Sequence, residues 1–538
     1  MKRLIFALSI VALTIGGVSC AKQGATESIS GTLRIGLPIT PTNLNGILAQ
    51  NTNEVFVDGL IYSQLVALDD ESREIPDLAE RVPTLANGDI SKDGLTITYH
   101  LRRNVKWHDG VPFTSKDVAF SWKAVMNRKN NVVARNGFDQ VASVATPDAY
   151  TAVFHMKRIF PPAIEALFGE SDSPTFILPE HLLAKYPDVN QIPFNSAPIG
   201  TGPFKFARWL RGDRIVLSAN PDYFLGAPKL KQIAIMLIPD ANTTESQLRS
   251  HDIDLAFELT GTNWHNFAND PGFVRLLAKS PSFTAVLFNT SRAPLDDPQV
   301  RKALVMGIDS RRITATDTYG AGTIASGDLG PFYWAFDPSL KPADFDPAAA
   351  GAILQADGWI PGADGIRVKD GKRLSLQIVY GQGNPTSANI IVQLQQMLQH
   401  VGVAVEPKSY SFAVLFAAAQ SGGIYNKGSF DAGLYSWIAG GDPDNSSNWL
   451  SSQIPPAGND ITRYRSAEMD ALQHAALSTF DRAARKKAYL GIERLLLRDH
   501  VGAFLYYQGE RHVITPSFTG YAPNGIDAAW NAYTWDLK

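Results

Sequence analysis

Between residues 430 and 449 the chain reads FDAGLYSWIAGGDPDNSSNW. Trp437 and Trp449 flank two glycines and the carboxylates Asp442 and Asp444, residue types suited to holding a small solute. Rings can serve as walls and carboxylates as anchors, while glycine leaves backbone groups open to pair with a ligand. A plainer account is a strand that ends in a turn rich in Asp and Asn, and this stretch alone leaves both open. Other candidate constellations are incomplete. Trp107-His108-Asp109 has a His/Asp pair but no nucleophile beside it, and reads as a strand-to-turn junction. Gly200-Thr-Gly-Pro-Phe lacks the Gly-Lys-Ser/Thr ending of a phosphate loop, and Pro203 removes an N–H donor. No G-x-S-x-G or H-E-x-x-H occurs, and the ten histidines lack metal-ligand spacing. Asp442 and Asp444 begin like a calcium loop, but the later oxygen ligands do not follow. The chain is therefore expected to bind rather than catalyse, with no metal and no cofactor.

The elements that must position these residues are legible in the pattern. Residues 430–438 read as a buried strand, with Leu434, Tyr435, Trp437 and Ile438 supplying bulk. Leu95, Ile97, Tyr99 and Leu101 alternate with polar residues as a half-buried strand. Thr114 and Asp117 form a capping box before a helix through Val118, Trp122 and Val125. Residues 54–65 read as a helix, and Asp297-Pro298 starts another through Leu304 and Ile308. Leu374 to Tyr380 alternates as a strand, Ile391, Leu394, Leu398 and Val401 mark one helix face, and a strand follows Gly402. That βαβ order demands parallel strands with a helical crossover. Helices at 466–477 and 481–498 precede a strand at 503–507. Strands mixed with helices and no repeat period imply an α/β protein.

Bulk properties narrow the class. The 538 residues suffice for about three or four domain-sized units. Forty-nine basic residues against 52 acidic ones leave a net charge of -3, which argues against a nucleic-acid partner or a basic membrane surface. The lone cysteine, Cys20, excludes disulfides within the chain. Lys2 and Arg3 precede twelve apolar residues from Leu4 to Ile15, about 18 Å of helix against a bilayer core of about 30 Å. This is an export signal rather than a membrane span. Gly16-Gly17-Val18-Ser19 before Cys20 resembles a lipobox, which makes Cys20 a lipidation site; plain cleavage beside an incidental cysteine is the alternative. Residues 21–29 read as a flexible tether.

The stretch DGLTITYHLRRNVKWHDGVPFTSKDVAFSWKAVMN (residues 93–127) resembles the signature region of the family 5 extracellular solute-binding proteins, the oligopeptide-, dipeptide- and nickel-binding components of bacterial ABC importers. The resemblance continues through Pro198-Ile-Gly-Thr-Gly-Pro-Phe204, Phe288-Asn289, Asp297-Pro-Gln-Val-Arg-Lys-Ala-Leu304 and Trp437 with its following Gly-Asp-Pro. It implies a periplasmic-binding-protein type II-like α/β fold: two lobes joined by crossing strands, with an extra inserted α/β domain. On that template lobe I takes residues 30–68, 197–281 and 515–538, the inserted domain 69–196, and lobe III 282–514. The resemblance also implies capture of a peptide or other small polar ligand, delivery to ABC permease subunits, work as a monomer, and a place on the periplasmic or outer side of a bacterial membrane.

Carried over position by position, Ser436, Trp437 and Ile438 become candidates for pairing with a ligand backbone. Peptide-binding relatives place an Asp three residues after that Trp to hold the ligand's ammonium. Gly440 stands there in this chain, with Asp442 as a substitute anchor or with a ligand that carries no ammonium. Asn51, Thr52 and Asn53 are expected to face the ligand from lobe I, with Tyr425 and Tyr507 as aromatic walls. Two rivals remain: a secreted peptide hydrolase with an unrecognised nucleophile, and a receptor that docks onto a sensor protein.

Overall fold

The computed structural model describes residues 31–538; the expected export signal, Cys20 and the expected tether lie outside them. Eleven strands form one mixed sheet: β1 (Thr32–Leu37), β2 (Phe204–Leu210), β3 (Arg214–Ala219), β4 (Gln232–Leu237), β5 (Leu255–Ala256), β6 (Val274–Phe288), β7 (Gly322–Ile324), β8 (Ser375–Gly381), β9 (Ala404–Tyr410), β10 (Ala432–Ile438) and β11 (Gly502–Ile514). Their order is β9-β8-β10-β6-β11-β5-β1-β4-β3-β2, with β7 added onto β11. The expected βαβ unit is present: β8 and β9 run parallel, joined by the helix Pro385–His400.

Two long strands carry the chain from one half of the sheet to the other. Residues Val274 to Lys279 of β6 pair with Gly509 to Ile514 of β11, and Phe283 to Leu287 pair with Gly502 to Tyr507. Between these blocks the register shifts at Lys279/Phe283, where Pro281 has no N–H for the ladder. The strand expected at 503–507 is thus only the first half of a longer one, Gly502–Ile514. On the far side the alternation of side chains feeds two separate cores. Phe283, Ala285, Leu287 and Tyr435 join one, packed under the helix Arg482–Asp499. Val286, Phe288, Ala432 and Leu434 join the other, with the helices Pro298–Met306 and Pro385–His400. On the near side one core unites β1 and β4 with Ile97, Tyr99, Trp107 and Phe154 and continues to Trp535.

Local expectations hold with one instructive exception. The strand Thr96–His100 buries Ile97 and Tyr99, and the capping box of Thr114 and Asp117 opens the helix Ser115–Met126. The first helix, however, spans Thr52–Ile61 instead of reaching residue 65. Beyond it the N–H groups of Gln64 and Leu65 are taken by the Asp77 carboxylate and the Phe168 carbonyl. The Ile61 carbonyl accepts from Gly202 N–H, and a Cβ at Gly200 would stand 1.9 Å from that oxygen. The glycines of Gly200-Thr-Gly therefore serve close backbone approach.

Candidate functional site

A cleft of about 330 Å³ opens where β10 ends, between residues 437–453 and residues 136–172. Its volume lies at the lower end of the range for small-molecule sites. A larger hollow, about 420 Å³, lies around Lys116, Lys123 and Tyr186 and contains none of the expected site residues.

Strand β10 forms one wall. Its antiparallel pairing to β6 matches Ser436 with Thr284, Trp437 with Phe283 and Ile438 with Ser282. On the opposite edge β8 pairs with Ala432 and Gly433 only. Residues 434–438 thus present an edge that no strand among the described residues covers. Trp437 lines the cleft, its ring stacked on Tyr435 at 5.9 Å and 7°. Ser436 and Ile438 point to the other face of the strand: the Ser436 hydroxyl lies 2.9 Å from that of Thr284, and Ile438 is exposed.

Past Ile438 the chain meets the opposite wall. Gly441 N–H donates to the Glu170 carbonyl at 2.6 Å, and a Cβ on Gly440 would come within 2.8 Å of Asp172 N and 2.9 Å of the Ser171 carbonyl carbon. Arg482, at the start of its helix, donates to Glu74 at 2.5 Å and stands 3.8 Å from Glu165; Lys279 pairs with Glu71 at 2.7 Å. These contacts tie the two walls of the cleft together.

Asp442 borders the cleft but is not free to act as an anchor, which corrects that expectation. Both its oxygens accept from Arg485, at 2.6 and 2.7 Å, and both side chains are buried. Burial works against the Arg485 charge, and the Asp442 carboxylate more than offsets it, holding the guanidinium above its ordinary range. Tyr425 and Tyr507 are corrected as well. Tyr425 is buried among Phe416, Phe430 and Tyr435; Tyr507 is buried with its hydroxyl accepting from Ser326 and Gly327 N–H. Neither lines the cleft.

Asn51, Thr52 and Asn53 form a separate group. Asn51 caps the helix Thr52–Ile61, Thr52 donates to Glu258 at 2.8 Å, and Asn53 donates to the other Glu258 oxygen at 2.8 Å. Their side chains secure the start of the helix and lie outside the cleft lining. His108 is structural: Nδ1 accepts from Gly200 N–H at 3.2 Å, Nε2 donates to the Gly202 carbonyl at 3.0 Å, and burial lowers its pKa to about 4. The lining also includes Arg158, Glu165, Asp172 and Gln453, which the sequence did not single out. Asp172 in Ser-Asp-Ser-Pro carries only the signal of a turn.

Residues 75–456 match the family described as bacterial extracellular solute-binding proteins, family 5. The oligopeptide-binding protein AppA of Bacillus subtilis is 27% identical over 525 residues, 96% of this chain and 94% of AppA. Its structure with a nonapeptide superposes with a TM-score of 0.73 over 94% of this chain and 99% of that one. NikZ from Campylobacter jejuni in complex with Ni(L-His) gives 28% identity and a TM-score of 0.75, over 94% and 99% of the two chains. The heme-binding protein A of Haemophilus influenzae is 27% identical over 448 residues, 80% of this chain and 78% of its own. The family match covers more than half of the chain, and the chain belongs to the family 5 bacterial extracellular solute-binding proteins.

Proposed function

We propose that this chain is the substrate-binding component of an ABC importer, capturing a peptide or similar small polar solute in the cleft at the end of β10. The uncovered edge of residues 434–438 carries this reading. An extended ligand can add there as a further strand, its backbone bonding to the chain while Trp437 packs its side chains. Family membership and relatives named for oligopeptide binding support it. The lobes, as bounded above, close around the ligand by turning about the crossing strands, because a solute that contacts both walls favours the closed state. The loaded protein then delivers its cargo to permease subunits in the membrane, and it performs no chemistry on that cargo. It works as a monomer on the outer side of a bacterial membrane, held through lipid on Cys20. No helix among the described residues is long and apolar enough to cross a membrane.

Native mass spectrometry of the chain from Ala21 onward, followed by denaturation and identification of what is released, tests this reading. Short peptides or one polar solute should come off at one ligand per chain. Cleavage of mixed peptides by the purified chain would overturn the reading in favour of a hydrolase.

A further inference from the structure

The cleft wall that continues β10 is fastened to the crossing strands at both ends. Residues 439–442, 444, 446 and 447 line the cleft. At the start of this loop, Ala439 N–H donates at 3.0 Å to the carbonyl of Pro281, which lies in the register shift of β6. At its far end, Asn445 Nδ2 and Trp449 Nε1 donate to the buried Asp328 carboxylate, at 3.0 and 2.5 Å. Bonds to an ionised acceptor are the strong kind. Glu493 lies beside Asp328, its carboxyl raised well above the ordinary range by burial and by Asp328 itself.

Residues 326–328 carry this hold back to β11. Ser326 N–H and Gly327 N–H both donate to the Tyr507 hydroxyl, at 3.2 and 3.1 Å, and Asp328 is the next residue. Tyr507 pairs with Phe283, the first residue of β6 beyond the register shift, and with Thr323 of β7. Its ring is buried edge-on against Phe336 at 6.1 Å. The path from the pivot to the cleft wall therefore runs through one phenol, two N–H groups, one carboxylate and the side chains of Asn445 and Trp449. Peptide planes are rigid, so three consecutive residues pass on a displacement of the hydroxyl with little slack. Tyr507 itself lies outside the cleft lining.

Resting on the reading of this cleft as a solute site, we infer that Tyr507 and Asp328 are positioning residues for solute capture. They set the loop 439–449 according to the turn of the crossing strands, so that its cleft-lining residues reach the solute in step with closure. Cutting the link frees the loop from the pivot, and contact with the solute then favours the closed state less.

Hydrogen exchange and calorimetry on the chain from Ala21 onward test this, with trialanine as the probe. Tyr507→Phe removes the hydroxyl and keeps the ring; Asp328→Asn keeps the shape and removes the charge. Each should speed amide exchange in residues 445–450 at least about 10-fold over the parent and weaken trialanine binding at least about 5-fold. The double variant should lose no more affinity than the weaker-binding single variant, because both cut one path. Tyr62→Phe removes a comparable buried hydroxyl, bound to the Leu44 carbonyl in the other half of the molecule. It should leave both readings at the parent's values, as a residue that only holds the fold does. Unchanged exchange at 445–450 or unchanged affinity in Tyr507→Phe overturns the assignment. So do losses that add in the double variant, or equal loosening by Tyr62→Phe. If the parent refuses trialanine, the solute it releases in native mass spectrometry takes the probe's place. A parent that binds no trialanine and releases no solute removes the solute-site reading, a failure visible before any variant is compared, and the positioning role falls with it.

Discussion

Alanine at Gly440 tests whether the contact between β10's end and the opposite wall belongs to closure. The added carbon would stand 2.8 Å from Asp172 N and 2.9 Å from the Ser171 carbonyl carbon, against an optimum of about 3.5–4.0 Å between carbons. Both neighbours are backbone, and the loop can retreat only by lengthening the 2.6 Å bond from Gly441 to Glu170. Overpacking of this kind costs about 1–3 kcal/mol. If the walls part in the empty protein, that cost falls on the closed form alone. Affinity should then drop by roughly 5–150-fold, the equivalent of the same 1–3 kcal/mol, while the empty variant melts with the parent. Calorimetry with the released solute measures the first, differential scanning calorimetry the second. Binding at the parent's affinity would refute the steric argument. A fall in the empty protein's Tm would refute the assignment to closure, making the contact a fixed part of the fold.

Asp442→Asn leaves Arg485 buried without its partner, so stability in a denaturant titration should fall by about 3–5 kcal/mol. Lost binding at unchanged stability would instead restore Asp442 as a ligand anchor. Arg482→Gln removes a half-exposed link to Glu74, worth less than about 1 kcal/mol, so the chain should keep its Tm and bind more weakly, with a smaller salt dependence of affinity than the parent. Burial raises Asp77 from 3.8 to about 7, so the folded chain holds that proton where the unfolded chain has released it. The resulting stability is fully present below about pH 4 and is lost as pH rises to about 7. Asp77→Asn should therefore gain on the parent across that window, by at most about 4 kcal/mol, as read from denaturation at stepped pH.

Much of the fold was legible because its signals are local. The capping box at Thr114, the alternation at residues 95–101 and the strand-helix-strand order from Leu374 each depend on a few neighbours. The first helix was overextended for the opposite reason: Asp77 and Phe168, distant in sequence, claim the N–H groups that would have continued it. The site divides the same way. Trp437 and Gly440 sit in the cleft because strand and turn chemistry mark where β10 ends. Arg485, 43 residues past Asp442, gives no local sign that it neutralises it. Tyr425 and Tyr507 show that an aromatic side chain near a ligand strand serves a core as readily as a wall.

The register shift at Lys279/Phe283 sets a scale for what a membrane partner could sense. From Val274 to Lys279 six residues of β6 lie to one side of it, an arm of about 20 Å at 3.3 Å per residue. Turning such an arm by ten degrees carries its tip roughly 3.5 Å, about the rise of a single strand residue. Contacts near the pivot, such as Gly441 with Glu170, move over fractions of that distance, whereas surfaces beyond the strand tips move over multiples of it. A permease gripping both outer surfaces would therefore read occupancy as a change in spacing, without touching the solute.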